Sequence, residues 1–180
     1  MSDDLTYHYK YPHPSVAIDV VVFSIVQSAL RLLLIERAHD PFKGYWALPG
    51  GFLNIDESAE IGAKRELCEE TGVKIDALNQ FHVFTEPNRD PRERVISIAY
   101  YSLTGYLPLL AGDDANNAAW FDLESLPKLA FDHEKIFHSA ALNLYRDLSF
   151  PTIEDKNLFS KFTNDQLLTL KLKLEEVFNF

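Results

Sequence analysis

Apolar residues in this chain fall first into short runs broken by turn formers and later into stretches with helical spacing. Residues 16–27 and 30–36 are β-branched or apolar runs separated by a short polar break, a pattern that predicts two buried strands. A loop containing Pro41 and Gly44 follows, and then a brief apolar segment, 46–48, that runs into Pro49-Gly50-Gly51. Two successive glycines open backbone angles closed to other residues and allow close approach by a ligand or ion. Over 58–71, Ala59, Ala63 and Leu67, with Ile61 and Cys68 one turn offset, recur as on a helix. Ser58 or Asp56 supplies its N-cap and Gly72 follows its last turn. Gly62 weakens that helix by about 1 kcal/mol relative to alanine. Strands are predicted at 73–84 and 95–104, joined by the charged loop 85–94, and a further strand at 118–121 leads to a helix at 132–148 capped by Asp132. After Pro151 comes a polar stretch, then a last amphipathic helix over 164–178, where Thr163 and Gln166 have the form of a capping box. Several strands mixed with two or three helices predict an α+β chain, a mixed-sheet sandwich.

Length and composition narrow this picture. At roughly 150 residues per domain, 180 residues make one domain, expected over 1–150, with a C-terminal helical extension over 151–180. An apolar content of 47% is enough for a core and excludes disordered and collagen-like classes. The longest apolar run, 16–26, is interrupted by Asp19 and Ser24 and falls short of the roughly 20 residues that span a bilayer, so no membrane segment is expected. The first ten residues carry Asp3 and Asp4 and no apolar signal core, and the single Cys68 cannot close an intrachain disulfide; a reducing, cytoplasmic setting is expected. A net charge of −10 disfavours a broad nucleic-acid surface, and a phosphate-bearing substrate needs a cation between itself and this protein.

The chemistry concentrates in 51–73. Arg65, Glu66, Glu69 and Glu70 fall on the predicted helix, where residues three and four apart share a side. Like charges so placed repel, and the helix dipole disfavours anions near the C-terminal end. A Glu-rich helix is ordinarily a solvated face, but here a divalent cation resolves the conflict. Carboxylates, a backbone carbonyl of the glycine turn and water are the hard oxygen ligands that Mg²⁺ or Mn²⁺ takes. Arg65 can fix one glutamate through a bidentate pair and keep it ionised.

The spacing of Gly51, Glu57, Arg65-Glu66-Leu67, Glu69-Glu70 and Gly72-Val73 resembles the Nudix box at every specified position. That resemblance implies the Nudix fold, a mixed-sheet α/β/α sandwich in which the box forms loop, helix and loop. It also implies metal-dependent hydrolysis of a nucleoside diphosphate linked to another moiety. Glu66, Glu69 and Glu70 then stand as metal ligands, Gly50 or Gly51 offers a carbonyl, and Arg65 and Glu57 orient helix and loop. The proton acceptor is either a box glutamate or an acid on a later loop, among Glu86, Asp90, Glu93, Asp113 and Asp114, with Asp114 or a box glutamate favoured.

Outside the box, 11–23, 88–99 and 112–133 are similar to the ADP-ribose pyrophosphatase-like Nudix proteins and the related transcription regulators. This implies ADP-ribose or a similar nucleotide sugar as ligand, split to AMP and ribose 5-phosphate, and a homodimer. Arg89, Arg92 and Arg94 can offer guanidinium forks to a phosphate, although Glu86, Asp90 and Glu93 balance their charge as in a solvated turn. His133 is placed to reach a ribose hydroxyl or to sit in a helix's first turn, and Trp46 to stack on a base or pack in the core. The regulator alternative, a sensor of ADP-ribose or a sugar ligand with reduced or no hydrolysis, needs a groove-reading element and a basic footprint. The last 18 residues set two lysines against Asp165, Glu175 and Glu176, so a nucleic-acid partner is not expected.

Overall fold

A computed structural model describes residues 9–26, 29–110, 115–152 and 155–180. The first run forms β1 (Ser15–Val26) and the second β2 (Ala29–Arg37). Two short strands flank the turn at Leu48 and Pro49: β3 (Trp46–Ala47) and β4 (Gly50–Phe52). Helix α1 (Ala59–Thr71) follows, then β5 (Asn79–Phe84), β6 (Val95–Thr104) and β7 (Ala115–Asp122). The chain closes with α2 (His133–Ser149), the short α3 (Asp155–Phe159) and α4 (Asn164–Phe178).

The sheet is mixed, in the order β3-β2-β1-β6-β5, with β4 also pairing β1 and β7 pairing β2. β1 runs parallel to β6 and antiparallel to β2 and β4. Helices cover both faces, which is why β1 reads as a nearly continuous apolar run instead of an alternating one. Ile18, Val20 and Val22 pack with Ala63 and Leu67 of α1. Val21, Phe23 and Ile25 pack with Ile136, Ala140 and Leu144 of α2 and with Leu170 and Leu174 of α4. Asp19 lies in phase with the second set, so β1 sends one carboxylate toward α2. No helix among the described residues is long and apolar enough to cross a membrane.

Local signals are seated where the residues require. Ser58 caps α1, its hydroxyl accepting from the Ile61 amide at 3.4 Å, and Gly72 ends the helix at a φ of 71°, a left-handed conformation that suits glycine. Gly62 has a packing reason: a Cβ there would lie 2.6 Å from Ile18 Cδ1, so α1 sits too close to β1 for a side chain. The Thr163–Gln166 capping box is complete.

Three expectations change. The strand predicted over 73–84 begins only at Asn79. Val73, Ile75 and Leu78 do face the α1-side core, but from a loop whose backbone does not join the sheet. The polar stretch after Pro151 contains α3, which places Leu158 and Phe159 in the core. Asp132 precedes α2, yet its side chain makes no capping bond, because Arg89 takes its carboxylate.

Candidate active site

Helix α1 brings the predicted residues together around Arg65. Its guanidinium grips Glu57 twice, Nη2 to Oε1 at 2.6 Å and Nε to Oε2 at 3.0 Å. Nη1 donates to Glu66 Oε1 at 2.8 Å and to Glu69 Oε2 at 2.9 Å. One cation therefore satisfies three carboxylates, two of them on its own helix. The Arg65 bonds, with the Asn54 amide at 2.9 Å, hold the Glu57 carboxyl well below its ordinary value, at about 2. Arg65 is raised in turn, chiefly by Glu57. Glu66 moves the other way. Burial pushes its pKa up, the Glu69 and Glu57 charges add to that, and the Arg65 bond only partly opposes them.

The glycine turn meets these carboxylates from β4. Glu70 is buried, and its Oε2 accepts from the Gly50 amide at 2.9 Å. A Cβ on Gly51 would lie 2.4 Å from Glu66 Oε1, so the missing side chain is what lets Glu66 reach the turn. At Gly50 a Cβ would lie 2.1 Å from the Ile18 carbonyl oxygen, where β4 pairs with β1. The donors gathered here are all oxygen, which suits a hard divalent cation. Among the described residues no three acidic, histidine or cysteine side chains stand as a ready-made metal cluster. In this conformation Glu66 and Glu69 turn to Arg65, and Glu70 turns to the Gly50 amide.

Beside the turn is a cavity of about 60 Å³, lined by Gly50, Gly51, Phe52, Arg37, Arg92 and Phe131 among others. Phe131 has a φ of 51°, a strained value for a bulky residue, and its ring lies under two cations, Arg37 at 4.8 Å and Arg92 at 5.6 Å. Burial and the neighbouring Arg92 lower the pKa of Arg37.

Of the other predicted residues, Arg89, Arg92 and His133 line this same cavity, whereas Arg94 and Trp46 do not. Arg92 stays at the cavity, paired with Asp90 at 2.7 Å and set over Phe52. Arg89 is buried, and its fork is occupied inside the protein, bridging Asp132 at 2.8 Å and Asp19 at 3.1 Å. Arg94 is exposed and donates to the Glu86 carbonyl at 3.2 Å. Trp46 packs edge-on against Phe121, with ring centroids 4.6 Å apart, beside the α2-side core. His133 is buried, its Nδ1 accepting from the Leu48 amide at 2.9 Å. Asp113 and Asp114 lie outside the described residues. Sequence reasoning passed over Asp19, Arg37 and Phe131. For Asp19 a signal existed, since a lone acid inside an apolar strand must find a partner when buried.

A family model described as NUDIX domain matches residues 15–140. An ADP-ribose pyrophosphatase of Methanocaldococcus jannaschii is 47% identical over 133 residues, 74% of this chain and 76% of that protein. The ADPR responsive transcriptional repressor NtrR of Acinetobacter baylyi is 34% identical over 139 residues, 74% of this chain but only 56% of the repressor. Among solved structures, a MutT/nudix family protein from Enterococcus faecalis superposes with a TM-score of 0.81 at 29% identity, covering 97% of this chain and 83% of that one. The NUDIX domain of Shewanella oneidensis NrtR, complexed with ADP ribose, gives 0.73 at 30% identity and covers 77% of this chain and 94% of that one.

Proposed function

This chain belongs to the NUDIX family, and from that premise we propose that it hydrolyses the pyrophosphate bond of ADP-ribose, releasing AMP and ribose 5-phosphate. The observation that carries this reading is the apposition of Glu66 and Glu70 of α1 to the Gly50–Gly51 turn, with Glu69 held beside Glu66 through Arg65, in a chain 47% identical to an ADP-ribose pyrophosphatase. Glu66, Glu69, Glu70 and a carbonyl of Gly50 or Gly51 would hold Mg²⁺ or Mn²⁺. When bound, the cation supplies charge neutralisation at the diphosphate and acidifies the attacking water.

The protein's own side chains prepare that chemistry. Arg65 spans Glu57, Glu66 and Glu69 and so orients the box loop and the helix as one unit. Glu70 ties the turn to the end of the same helix. The negative oxygens of a diphosphate repel the electron pair of an attacking water oxygen, and cations placed beside them lower that barrier. Arg92 is so placed at the cavity wall. The water's proton passes to a carboxylate, either a box glutamate or Asp114. The same reading takes the protein as a cytoplasmic homodimer acting on a nucleotide sugar, without a nucleic-acid partner, in keeping with its net charge of −10.

Incubation of the purified chain with ADP-ribose and a panel of other nucleoside diphosphate compounds, with Mg²⁺, Mn²⁺ or a chelator, tests the proposal by chromatography of the products. We expect AMP and ribose 5-phosphate with either metal and none with the chelator. Cleavage of no compound under any condition overturns the enzyme reading. The similarity to a repressor motivates the alternative, a sensor that binds ADP-ribose without turnover. It requires salt-sensitive retardation of duplex DNA in a gel, which we expect not to see.

A further inference from the structure

Asp19 of β1 and His133 of α2 belong to a chain of buried contacts that the carboxylates of α1 do not use. Asp19 Oδ2 accepts from Ser97 Oγ at 2.5 Å and from Arg89 Nη2 at 3.1 Å. Arg89 gives the rest of its fork to Asp132, through Nη2 at 2.8 Å and Nε at 3.1 Å. His133 Nε2 stands 3.4 Å from Asp19 Oδ1, and its Nδ1 accepts from the Leu48 amide at 2.9 Å. A ring nitrogen that accepts an N–H carries no proton, so in the neutral imidazole the proton sits on Nε2 and faces Asp19. Burial lowers the His133 pKa and keeps the ring in that neutral form.

The far end of this chain is the backbone of the glycine turn. Leu48 leads through Pro49 into Gly50 and Gly51. The Pro49 carbonyl accepts from the Val20 amide at 2.9 Å, and the Gly50 amide donates to Glu70. The Leu48 amide is anchored by a side chain 85 positions away in sequence. β1, the loop after β5 and the start of α2 thus converge on one N–H at the entry to the turn.

We propose that His133 is a positioning residue for the hydrolytic site: its Nδ1 fixes the Leu48 amide, and with it the placement of Gly50 and Gly51 against Glu70 and Glu66, while Asp19, Arg89 and Asp132 hold the imidazole in the required tautomer. The link to turnover rests on the pyrophosphatase reading above; the placement of the turn does not. A shift of about 1 Å in a reacting group costs on the order of 100-fold in rate, so loss of the anchor should lower kcat by about 10- to 100-fold and leave KM nearly unchanged.

Two variants and the unaltered protein test this. His133→Leu removes the acceptor, whereas His133→Asn keeps an oxygen near the position of Nδ1. In the metal-free protein, amide hydrogen exchange followed by NMR should show Leu48 slow in the wild type, at least about tenfold faster in His133→Leu and slow again in His133→Asn. Imidazole ¹⁵N shifts of the wild type should report Nδ1 unprotonated and Nε2 protonated. With ADP-ribose, kcat should fall in His133→Leu, recover most of the loss in His133→Asn, and the Mg²⁺ needed for half-maximal activation should rise in the leucine variant. Unchanged Leu48 exchange in His133→Leu, a protonated Nδ1, or an unaltered kcat overturns the inference. If His133→Leu fails to fold, the wild-type tautomer and the asparagine variant decide. If the wild type cleaves no ADP-ribose, the pyrophosphatase reading fails, and the exchange and tautomer measurements still decide whether His133 holds the turn.

Discussion

Substituting Glu70 by glutamine separates the chemistry of α1 from its structural role. The carboxylate accepts from the Gly50 amide at 2.9 Å, and a glutamine can present an amide oxygen to the same N–H. A hydrogen bond to a charged group contributes about 1.5–3 kcal/mol and a neutral one about 0.5–1.5, so the exchange costs about 1–1.5 kcal/mol of stability. For a chain of this length that lowers Tm by about 2–6 °C. Activity should fall much further. The variant removes one formal charge from the proposed cation site and weakens the counter-charge that favours protonated Arg37. By analogy with the loss of one preorganised electrostatic group, kcat should drop about 10²–10³-fold, or about 2.7–4 kcal/mol of barrier. Calorimetric melting, Mn²⁺ titration by calorimetry and initial rates measure the three quantities. Glu60→Gln on the same helix is the control, since Glu60 makes an exposed pair with Lys64 and its loss should stay within about 0.5 kcal/mol. Turnover by Glu70→Gln within tenfold of wild type, with Mn²⁺ affinity intact, would remove Glu70 from the metal site and refute the reasoning.

Two further outcomes follow from the ion pairs. Arg89→Met leaves the buried Asp19 and the partly buried Asp132 without their cation and should cost about 3–5 kcal/mol, a Tm drop of roughly 6–20 °C, whereas Arg94→Ala should cost no more than about 0.5 kcal/mol; equal losses in thermal melts would show that the buried bridge carries no special weight. Because Arg65 holds the Glu57 carboxyl at about 2 instead of 4.5, the stability it contributes is complete above 4.5 and is lost as pH falls from there through about 2. Denaturant midpoints over a pH series should therefore show the gap between wild type and Glu57→Gln closing in that window, and a gap that stays constant would disprove the coupling.

Local order was readable from residue order because it depends on neighbours within a few positions. The apolar runs of β1 and β2, the Ser58 cap and Gly72 end of α1, and the Thr163–Gln166 box are each defined by side chains that touch across one or two turns or along one strand. The carboxylate helix was legible for the same reason, since helical spacing puts Arg65 within reach of Glu69 four positions on, whereas its bond to the adjacent Glu66 is a contact that spacing does not imply. Where local preference met a stronger distant partner, the distant partner prevailed. Asp132 has the composition of a cap, but its carboxylate serves Arg89, 43 positions away. Val73 and Ile75 alternate as in a strand, yet they and Leu78 are satisfied by core contacts without sheet pairing.

Arg89, His133 and Trp46 show the remaining division. Their residue types admit both ligand contact and burial, and short-range spacing carries no information on which contact forms. Asp19 meets Arg89, Ser97 and His133 because β1 lies beside β6 and below the start of α2, an arrangement created by sheet order and helix packing. The amino-acid order specifies which groups need partners; the identity of those partners emerges when segments far apart in the chain are packed together and each buried charge is paired with the nearest complementary group.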